Sequence, residues 1–517
     1  MVDINLLIAV LENVLTAKVL LLILLGVTYG IIFGVIPGLG PPLAIALLIP
    51  ITIGLDPVAG LALLGAAYIA AVYGGAISAI LLNTPGEPTS VATTFDGYPL
   101  ARQGKAHIAL GVSLLSSFVG GVISLIALVL LAPLLADVAI QFGAAEYFAI
   151  GVFGLVVIAA VSRGALLKGG IASVLGLLLG FVGFSPTTGV SRFTFDISYL
   201  SSGLSLVPIV VGLFAISEAI MLVDQGGTIT SDSDDVAASN GGETPSGEIS
   251  VPTGSLVEGI REAAKRPGSM LRSSLIGVGF GIIPGVGAAI ANFVAYFDLQ
   301  SSSKESDKFG KGAIDGVIGP EASNNAVTAA ALIPTLVLAI PGNVATTLLL
   351  GALVFYDIRI GPLLFAETPE LAYSFFAAIL IANVAMFVIG YFVSSRLIPL
   401  TKLPVEIIGP GVIIMSIIGT FALNFQMLDS VLALIVGTLT VMLRKLEFPP
   451  VNIVFGLILA PILETNYQRA LQLSGGEYGI FLDPGPLTLF ALSAIVIGYN
   501  LVKAITGVQI MDRVVKR

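Results

Sequence analysis

The chain has no cysteine and no tryptophan, and its 517 residues include a single histidine, His107. Without cysteine there is no disulfide framework, no thiolate nucleophile and no cysteine-ligated metal site. The His-Glu-x-x-His, Gly-x-Ser-x-Gly and Gly-x-x-x-x-Gly-Lys-Ser/Thr signatures are absent as well. We therefore predict that the protein is not an enzyme, that it carries no cofactor, and that ATP does not drive it directly.

Charge is also scarce. Charged residues make up 11% of the chain, against about 25% in an ordinary soluble protein. The hydrophobic fraction is 56%, the mean hydropathy is +1.03 and the net charge is −9. A soluble fold of this length could not cover so much apolar surface, so a lipid bilayer is the expected environment. The negative net charge gives no reason to expect a nucleic-acid partner.

Apolar runs near 20 residues long recur along the whole chain, the length that a helix needs to cross a bilayer. They lack the alternation of barrel strands. We predict an all-α polytopic membrane protein with about 11–14 transmembrane or re-entrant helices. The predicted spans are 17–36, 57–83, 108–136, 146–161, 165–184, 203–223, 272–297, 325–340, 343–366, 371–399, 403–425, 427–443, 450–463 and 485–506. The stretch 40–55 is short and carries three prolines, which favours a broken or re-entrant helix.

An octapeptide occurs twice in the chain. Residues 33–40 read Phe-Gly-Val-Ile-Pro-Gly-Leu-Gly and residues 280–287 read Phe-Gly-Ile-Ile-Pro-Gly-Val-Gly, identical at six of eight positions. Each copy is followed by a second Pro-Gly, at Pro85-Gly86 and at Pro341-Gly342. The pattern predicts an internal duplication of a membrane domain with helices broken by proline and glycine.

The two copies flank an acidic segment that lacks apolar periodicity. From 224 to 260 there are seven Asp or Glu residues and no Lys or Arg. We predict a first repeat over 1–224, a flexible linker over 225–268, and a second repeat with C-terminal helices over 269–517. Basic residues follow the linker and end the chain, which predicts that the linker and the C-terminus are cytoplasmic: Arg261, Lys265, Arg266, Arg272, Lys503, Arg513, Lys516 and Arg517.

The paired breaks are the candidate substrate-binding site. Proline removes a backbone hydrogen bond, and flanking glycines let the freed backbone approach a ligand. Matched interruptions in two halves indicate the binding site of a secondary transporter, whereas the alternative is a pair of kinks that only aid packing. The candidate residues at the breaks are Pro37, Gly38, Gly40, Asn83, Pro85, Gly86, Pro284, Gly285, Gly287, Pro341, Gly342 and Asn343.

Polar residues beside the breaks extend this site. Ser323, Asn324 and Asn325 precede an apolar run and are expected to cap a helix N-terminus, which suits a carboxylate. Glu87, Thr89 and their neighbours offer oxygens that could hydrogen-bond a hydroxy-carboxylate or hold a sodium ion. The coupling ion, sodium or proton, stays open at this point, as does any metal site.

Few charges lie inside the apolar runs, and such charges are functional candidates by default. Glu218 and the pair Asp357 and Arg359 are the main examples. His107 lies in a basic loop and is expected to be a surface residue.

At these motifs the sequence resembles the large membrane subunit of tripartite tricarboxylate transporters, the TctA-type permease. The resemblance covers most of the chain. It runs through Gly34 to Gly40, Tyr73-Gly74-Gly75, Asn83 to Gly86, Asp96 to Pro99, Gly281 to Gly287, Phe309 to Asn325, Pro341-Gly342, Gly456 to Pro461, Glu464, Arg469-Ala470 and Ser474 to Gly476. Ala460 stands where the family pattern usually has glycine, and the linker is unusually acidic.

The resemblance implies a permease in the cell membrane, fed by an extracytoplasmic solute-binding protein and accompanied by a small membrane subunit. It also implies cation-driven uptake of citrate or a similar carboxylate. A channel-like subunit, or a scaffold without a transport cycle of its own, is the alternative.

Overall fold

The computed structural model describes residues 4–161, 166–225, 255–285, 287–397 and 405–506. Its first twelve α-helices are α1 Ile4–Val14, α2 Ala17–Val35, α3 Gly40–Leu48, α4 Pro57–Leu82, α5 Val91–Leu100, α6 Ala106–Ala139, α7 Ala144–Val161, α8 Leu166–Gly180, α9 Ser198–Ser201, α10 Leu206–Val210, α11 Ser217–Gln225 and α12 Leu256–Ala264.

The remaining helices are α13 Pro267–Gly281, α14 Gly287–Ser302, α15 Ile314–Ala330, α16 Leu332–Leu338, α17 Val344–Phe355, α18 Leu363–Glu367, α19 Pro369–Val393, α20 Val405–Asn424, α21 Met427–Lys445, α22 Pro450–Leu473 and α23 Pro484–Thr506. Short 3-10 turns cover Ile49–Thr52, Pro88–Ser90, Ser306–Lys308, Ser394–Arg396 and Tyr478–Leu482, and π-helical turns cover Ala101–Lys105 and Val211–Ile216. Strands β1 Gly183–Phe184 and β2 Ser191–Arg192 pair antiparallel.

The prediction of an all-α polytopic membrane protein is confirmed. Within the described residues, nine helical segments are long and apolar enough to cross a membrane. Five shorter apolar helices, which include Gly40–Thr52, accompany them, and the predicted number of 11–14 transmembrane or re-entrant helices stays a prediction. The short helix at 40–52 agrees with the expectation of a broken segment there.

Three predicted spans in the second half are wrong as single crossings. The run 272–297 is interrupted after Gly281 and continues in α14, because the backbone at Gly285 and Gly287 has positive φ values of 77° and 79°. The run 343–366 ends as α17 at Phe355, where Asp357 takes a left-handed conformation. The run 325–340 is divided between α15, which already begins at Ile314 and ends at Ala330, and α16. Apolar periodicity does not reveal such interruptions, because the residues around them remain apolar.

The chain forms two compact units that are not consecutive halves. The first comprises Met1–Asp137 and Val210–Thr438, and the second comprises Val138–Ile209 and Leu439–Arg517. All candidate substrate-binding residues belong to the first unit. The repeat boundaries at 224 and 269 concern duplication within the sequence and stay a prediction. Most of the linker and the basic C-terminal residues from 507 onward lie outside the described residues.

The first unit is organised around two closely packed helix pairs. Gly26, Gly30 and Gly34 form a stripe along α2, and a Cβ on any of them would meet a backbone carbonyl oxygen of α4. In the second half, Gly277 and Gly281 on α13 pack against α15 in the same way. Small residues let membrane helices approach at backbone distance, which maximises dispersion contacts where no hydrophobic driving force exists. Both pairs place the end of their first helix, and therefore the break, beside the second helix.

The second unit packs α7 and α8 on α22. Gly176 of α8 lies against the backbone of Ile453, so these helices also cross at close range. Glu464 of α22 accepts two hydrogen bonds from the Arg192 guanidinium, at 2.9 and 3.0 Å, and one from Ser185 at 2.6 Å. This bidentate pair fixes the β1–β2 hairpin to α22.

Candidate functional site

The two Pro-Gly motifs of the first half lie side by side. Gly38 and Gly40 have positive φ values of 85° and 47°, so the chain between α2 and α3 turns in a way that favours glycine. A Cβ on Gly86 would clash with the carbonyl oxygen of Gly34 and lie 2.7 Å from Gly75 Cα. A Cβ on Gly40 would lie 3.8 Å from Glu87 Cβ. The break after α2 and the break after α4 therefore form one backbone cluster.

The motifs of the second half converge in the same manner. The Gly285 amide donates to the carbonyl oxygen of Gly342 at 3.0 Å. The Gly342 amide donates to Thr335 Oγ1 at 3.2 Å. The helix that precedes each second Pro-Gly ends in a left-handed residue, Asn83 in one half and Ala339 in the other. The two copies of the octapeptide thus have matching local geometry.

Side chains connect the two break clusters. Asn343 caps α17 by accepting from the Thr346 amide, and its own amide group donates to Tyr68 Oη on α4 at 2.8 Å. Asn292 on α14 donates to the carbonyl oxygen of Thr89 at 2.8 Å. These two hydrogen bonds therefore link the second half to the first near the breaks.

The expectation that Ser323, Asn324 and Asn325 cap a helix N-terminus is wrong. They lie inside α15, which begins at Ile314 and includes Pro320. All three are buried, and their side-chain polar atoms make no hydrogen bond. Of the three, Asn324 faces the first half, where it meets Glu87.

Asp96 from α5 binds the two residues that lead into the true N-terminus of α15. Asp96 Oδ1 accepts from the amides of Gly312 and Ala313, both at 2.7 Å, and Oδ2 accepts from Tyr296 Oη at 2.8 Å. The carboxylate is fully buried, and its charge complements the positive end of the helix. Asp96 therefore has a structural role that joins the halves.

Glu321 on α15 is a second buried carboxylate with a complete set of donors. Thr93 from α5 donates to Oε1, and Ser113 and Ser117 from α6 donate to Oε2, each serine at 3.0 Å. Three hydroxyl donors stabilise a carboxylate that has no neighbouring cation. Both Asp96 and Glu321 therefore have their oxygens engaged by protein groups.

Glu87 differs from these two carboxylates. It follows Gly86, and its carboxylate faces Thr89 and Asn324. No hydrogen bond of normal geometry reaches Glu87 Oε1, Thr89 Oγ1 or the amide atoms of Asn324, although all these atoms are buried. Asn324 itself is only 2% exposed. Buried polar atoms without partners are costly, which makes this group a candidate for ligand binding.

The other candidates lie outside this cluster or at its edge. Asn83 is exposed, and a Cβ on Gly287 would meet nothing within 4 Å. Arg359 pairs with Glu367 at the exposed surface. His107 is mostly buried and lies 3.4 Å from Glu258, so it is not the surface residue that we expected.

Sequence reasoning missed the carboxylates that join the halves. Asp96 and Glu321 both belong to motifs that carry the family resemblance. Neither lies in a long apolar run, so a search for charges within predicted spans does not find them. Their signal is a carboxylate beside glycine or proline, as in Asp96-Gly97 and Pro320-Glu321.

Comparisons with known proteins agree with the resemblance. A family model described as the tripartite tricarboxylate transporter TctA family matches residues 20–455. An uncharacterized 52.8 kDa protein in the TAR-I ttuC' 3' region of Agrobacterium vitis is 34% identical over 450 residues, which cover 87% of this chain and 86% of that protein.

A second protein of Agrobacterium vitis, from the TAR-II ttuC' 3' region, is 29% identical over 216 residues, which cover 42% of this chain and 89% of that protein. No solved structure matches. The family model extends over most of the chain, through both octapeptides and both second Pro-Gly motifs. This chain therefore belongs to the tripartite tricarboxylate transporter TctA family and is a multi-pass, transport-related membrane subunit.

Proposed function

We propose that the chain is the permease subunit of a cation-coupled secondary transporter for tricarboxylates or related carboxylates. It works with an extracytoplasmic solute-binding protein and a small membrane subunit, and it lies in the cell membrane with its linker and C-terminus in the cytoplasm. The observation that supports this most is that the two Pro-Gly breaks of each half lie against each other and that side chains link the two pairs, Asn343 to Tyr68 and Asn292 to Thr89. Broken helices at a repeat interface are the form that substrate sites take in secondary transporters.

The chemistry of the cluster suits a carboxylate. Helices α3, α14 and α17 begin at the breaks, at Gly40, Gly287 and Val344. A helix N-terminus carries free amide groups and a partial positive charge that favour an anion. The amide group of Asn324 adds donors that no protein group uses. The site thus offers polar hydrogen-bond donors to a carboxylate beside the single acidic side chain of Glu87.

The proposed transport cycle is tested by uptake into proteoliposomes that contain the chain with its partner subunits. Labelled citrate and related carboxylates are supplied with and without an inward sodium or proton gradient. We expect uptake to require a cation gradient, to be unaffected by ATP removal at a clamped gradient, and to show counterflow. Uptake without counterflow would instead favour a channel, and no uptake of any carboxylate would favour a scaffold.

The candidate site predicts a binding defect for Asn324→Ala. The change removes donors and an acceptor without adding bulk, so apparent carboxylate affinity should fall by roughly 1–3 kcal/mol, which is about tenfold to hundredfold. Affinity from equilibrium binding and thermal stability are measured on the same preparation.

The matched control is Asn383→Ala. Asn383 is also buried with an unpaired oxygen, but its amide donates to the carbonyl oxygen of Phe118, so its loss should lower stability and leave affinity unchanged. Wild-type affinity for Asn324→Ala would contradict the site.

A further inference from the structure

The carboxylate of Glu87 needs a positively charged partner, either a proton or a cation. A Cβ on Gly75 would lie 3.2 Å from Glu87 Cγ and 3.0 Å from Ser90 Oγ, so this side chain packs over a glycine of α4. None of the ion pairs among the described residues includes Glu87. The charge that acts on it is another carboxylate, that of Glu321. A carboxylate in such a place must either be neutralised by a proton or hold a cation.

The number of unpaired oxygens around Glu87 favours a bound cation over a proton. Glu87 Oε1, Thr89 Oγ1 and Asn324 Oδ1 all lack a hydrogen-bond partner, and Ser90 Oγ beside them lacks one too. A proton on Glu87 would give the site one new donor and satisfy one acceptor. A hard cation coordinates several oxygens at once and satisfies them together.

The ligand set also limits the kind of cation. Among the described residues, no group of three or more His, Cys, Asp or Glu side chains could hold a metal ion. Glu87 with neutral hydroxyl and amide oxygens supplies a single negative charge. One carboxylate balances a monovalent ion and leaves a divalent ion undercompensated.

We propose that Glu87, Thr89 and Asn324 bind the coupling cation and that this cation is Na⁺. This inference rests on the proposed function, because only a transporter has a coupling ion. The ion gradient would then act at this site. The Asn324 amide then serves both ligands, with its oxygen toward Na⁺ and its NH₂ group toward the carboxylate. A shared side chain gives each ligand a direct effect on the affinity of the other.

Glu321 provides the contrast. It lies on the same helix as Asn324, but three hydroxyl groups already donate to its oxygens. We assign it a structural role, because a cation there would have to displace donors whose hydrogens point at the carboxylate. The two glutamates therefore form a matched pair for a test.

The test measures the thermal stability of the purified full-length chain in detergent, without carboxylate, as Na⁺ replaces choline at constant ionic strength. A ligand that binds the folded state raises the melting temperature in a saturable way. We expect this rise in the wild type and in Glu321→Gln, even if Glu321→Gln starts from a lower melting temperature. In Glu87→Gln the rise should be lost.

Thr89→Val separates cation binding from packing. It replaces an unpaired buried hydroxyl with a methyl group of similar size, so a purely structural Thr89 predicts equal or higher stability with unchanged Na⁺ affinity. The cation site predicts that the apparent Na⁺ affinity falls roughly tenfold or more, since even groups outside the ligand set alter metal affinity by that amount.

Two results would overturn the assignment: a wild-type Na⁺ response in both Glu87→Gln and Thr89→Val, or a wild-type melting temperature that follows pH and ignores Na⁺. Carboxylate uptake by the complex is measured separately. If the complex shows sodium-driven uptake but Na⁺ still raises the melting temperature of Glu87→Gln, this cation site is refuted and the proposed function is not. A Na⁺ response that depends on Glu87, without uptake of any carboxylate, refutes the proposed function alone.

Discussion

Gly277→Leu is expected to prevent stable folding of the chain, whereas Gly279→Leu, two residues further along α13, is expected to be tolerated. A Cβ on Gly277 would clash with the carbonyl oxygen of Ser323 and lie 2.8 Å from Ala326 Cβ. A Cβ on Gly279 would meet nothing within 4 Å, and that position is exposed. Overpacking a well-filled contact costs about 1–3 kcal/mol, and backbone cannot move aside as a side chain can.

Membrane expression, monodispersity in detergent and the melting temperature of both variants check this prediction. Gly279→Leu is the control for the general effect of leucine in this helix. Equal stability of the two variants would show that α13 and α15 do not pack at backbone distance. The same comparison bears on the candidate site, because this crossing places the Gly285 break beside α15.

Asp96→Ala should give the second large loss of stability. The change leaves the amides of Gly312 and Ala313 and the hydroxyl of Tyr296 without their acceptor. An unpaired buried donor costs on the order of 1–3 kcal/mol, and removal of the carboxylate also ends its interaction with the α15 dipole. We expect a melting temperature well below that of the wild type.

Two further variants assign this loss to particular atoms. Asp96→Asn keeps an acceptor oxygen for the two amides and should recover much of the stability. Tyr296→Phe removes only the single hydroxyl donor and should cost less than Asp96→Ala. If Asp96→Ala melts like the wild type, the hydrogen bonds of Asp96 to Gly312, Ala313 and Tyr296 do not exist as described.

The sequence alone was sufficient for the class of the protein. Its hydropathy and lack of charge predicted helices in a bilayer, since no soluble surface could cover that composition. The repeated octapeptide and second Pro-Gly motifs located the breaks at Gly38 and Gly285, because proline and glycine alter the backbone locally. These features depend on a residue and its near neighbours, so one sequence contains them.

Helix continuity in the second half was decided by tertiary structure. Periodicity alone predicted a single span over 272–297, across the break that the octapeptide had located, and only the tertiary structure shows that the Gly285 amide pairs there with Gly342, more than 50 residues away. Conversely, Ser323-Asn324-Asn325 looked like a helix start and proved to be helix interior. The helix starts at Ile314, directly after the two amides that Asp96 of the other half binds.

The roles of the carboxylates of Asp96, Glu87 and Glu321 were likewise decided only in three dimensions. Asp96, Glu87 and Glu321 all stand beside glycine or proline in the sequence, and nothing local distinguishes them. Their neighbours come from distant segments. Asp96 accepts from amides just before α15, and Glu321 accepts from hydroxyl groups of α5 and α6. Glu87 faces Asn324, whose side-chain atoms make no hydrogen bond of normal geometry. The sequence determines which polar groups are available. Tertiary packing determines which carboxylates receive hydrogen bonds and which one is left to bind a ligand, because the hydrogen-bond partners of a group are its neighbours in space.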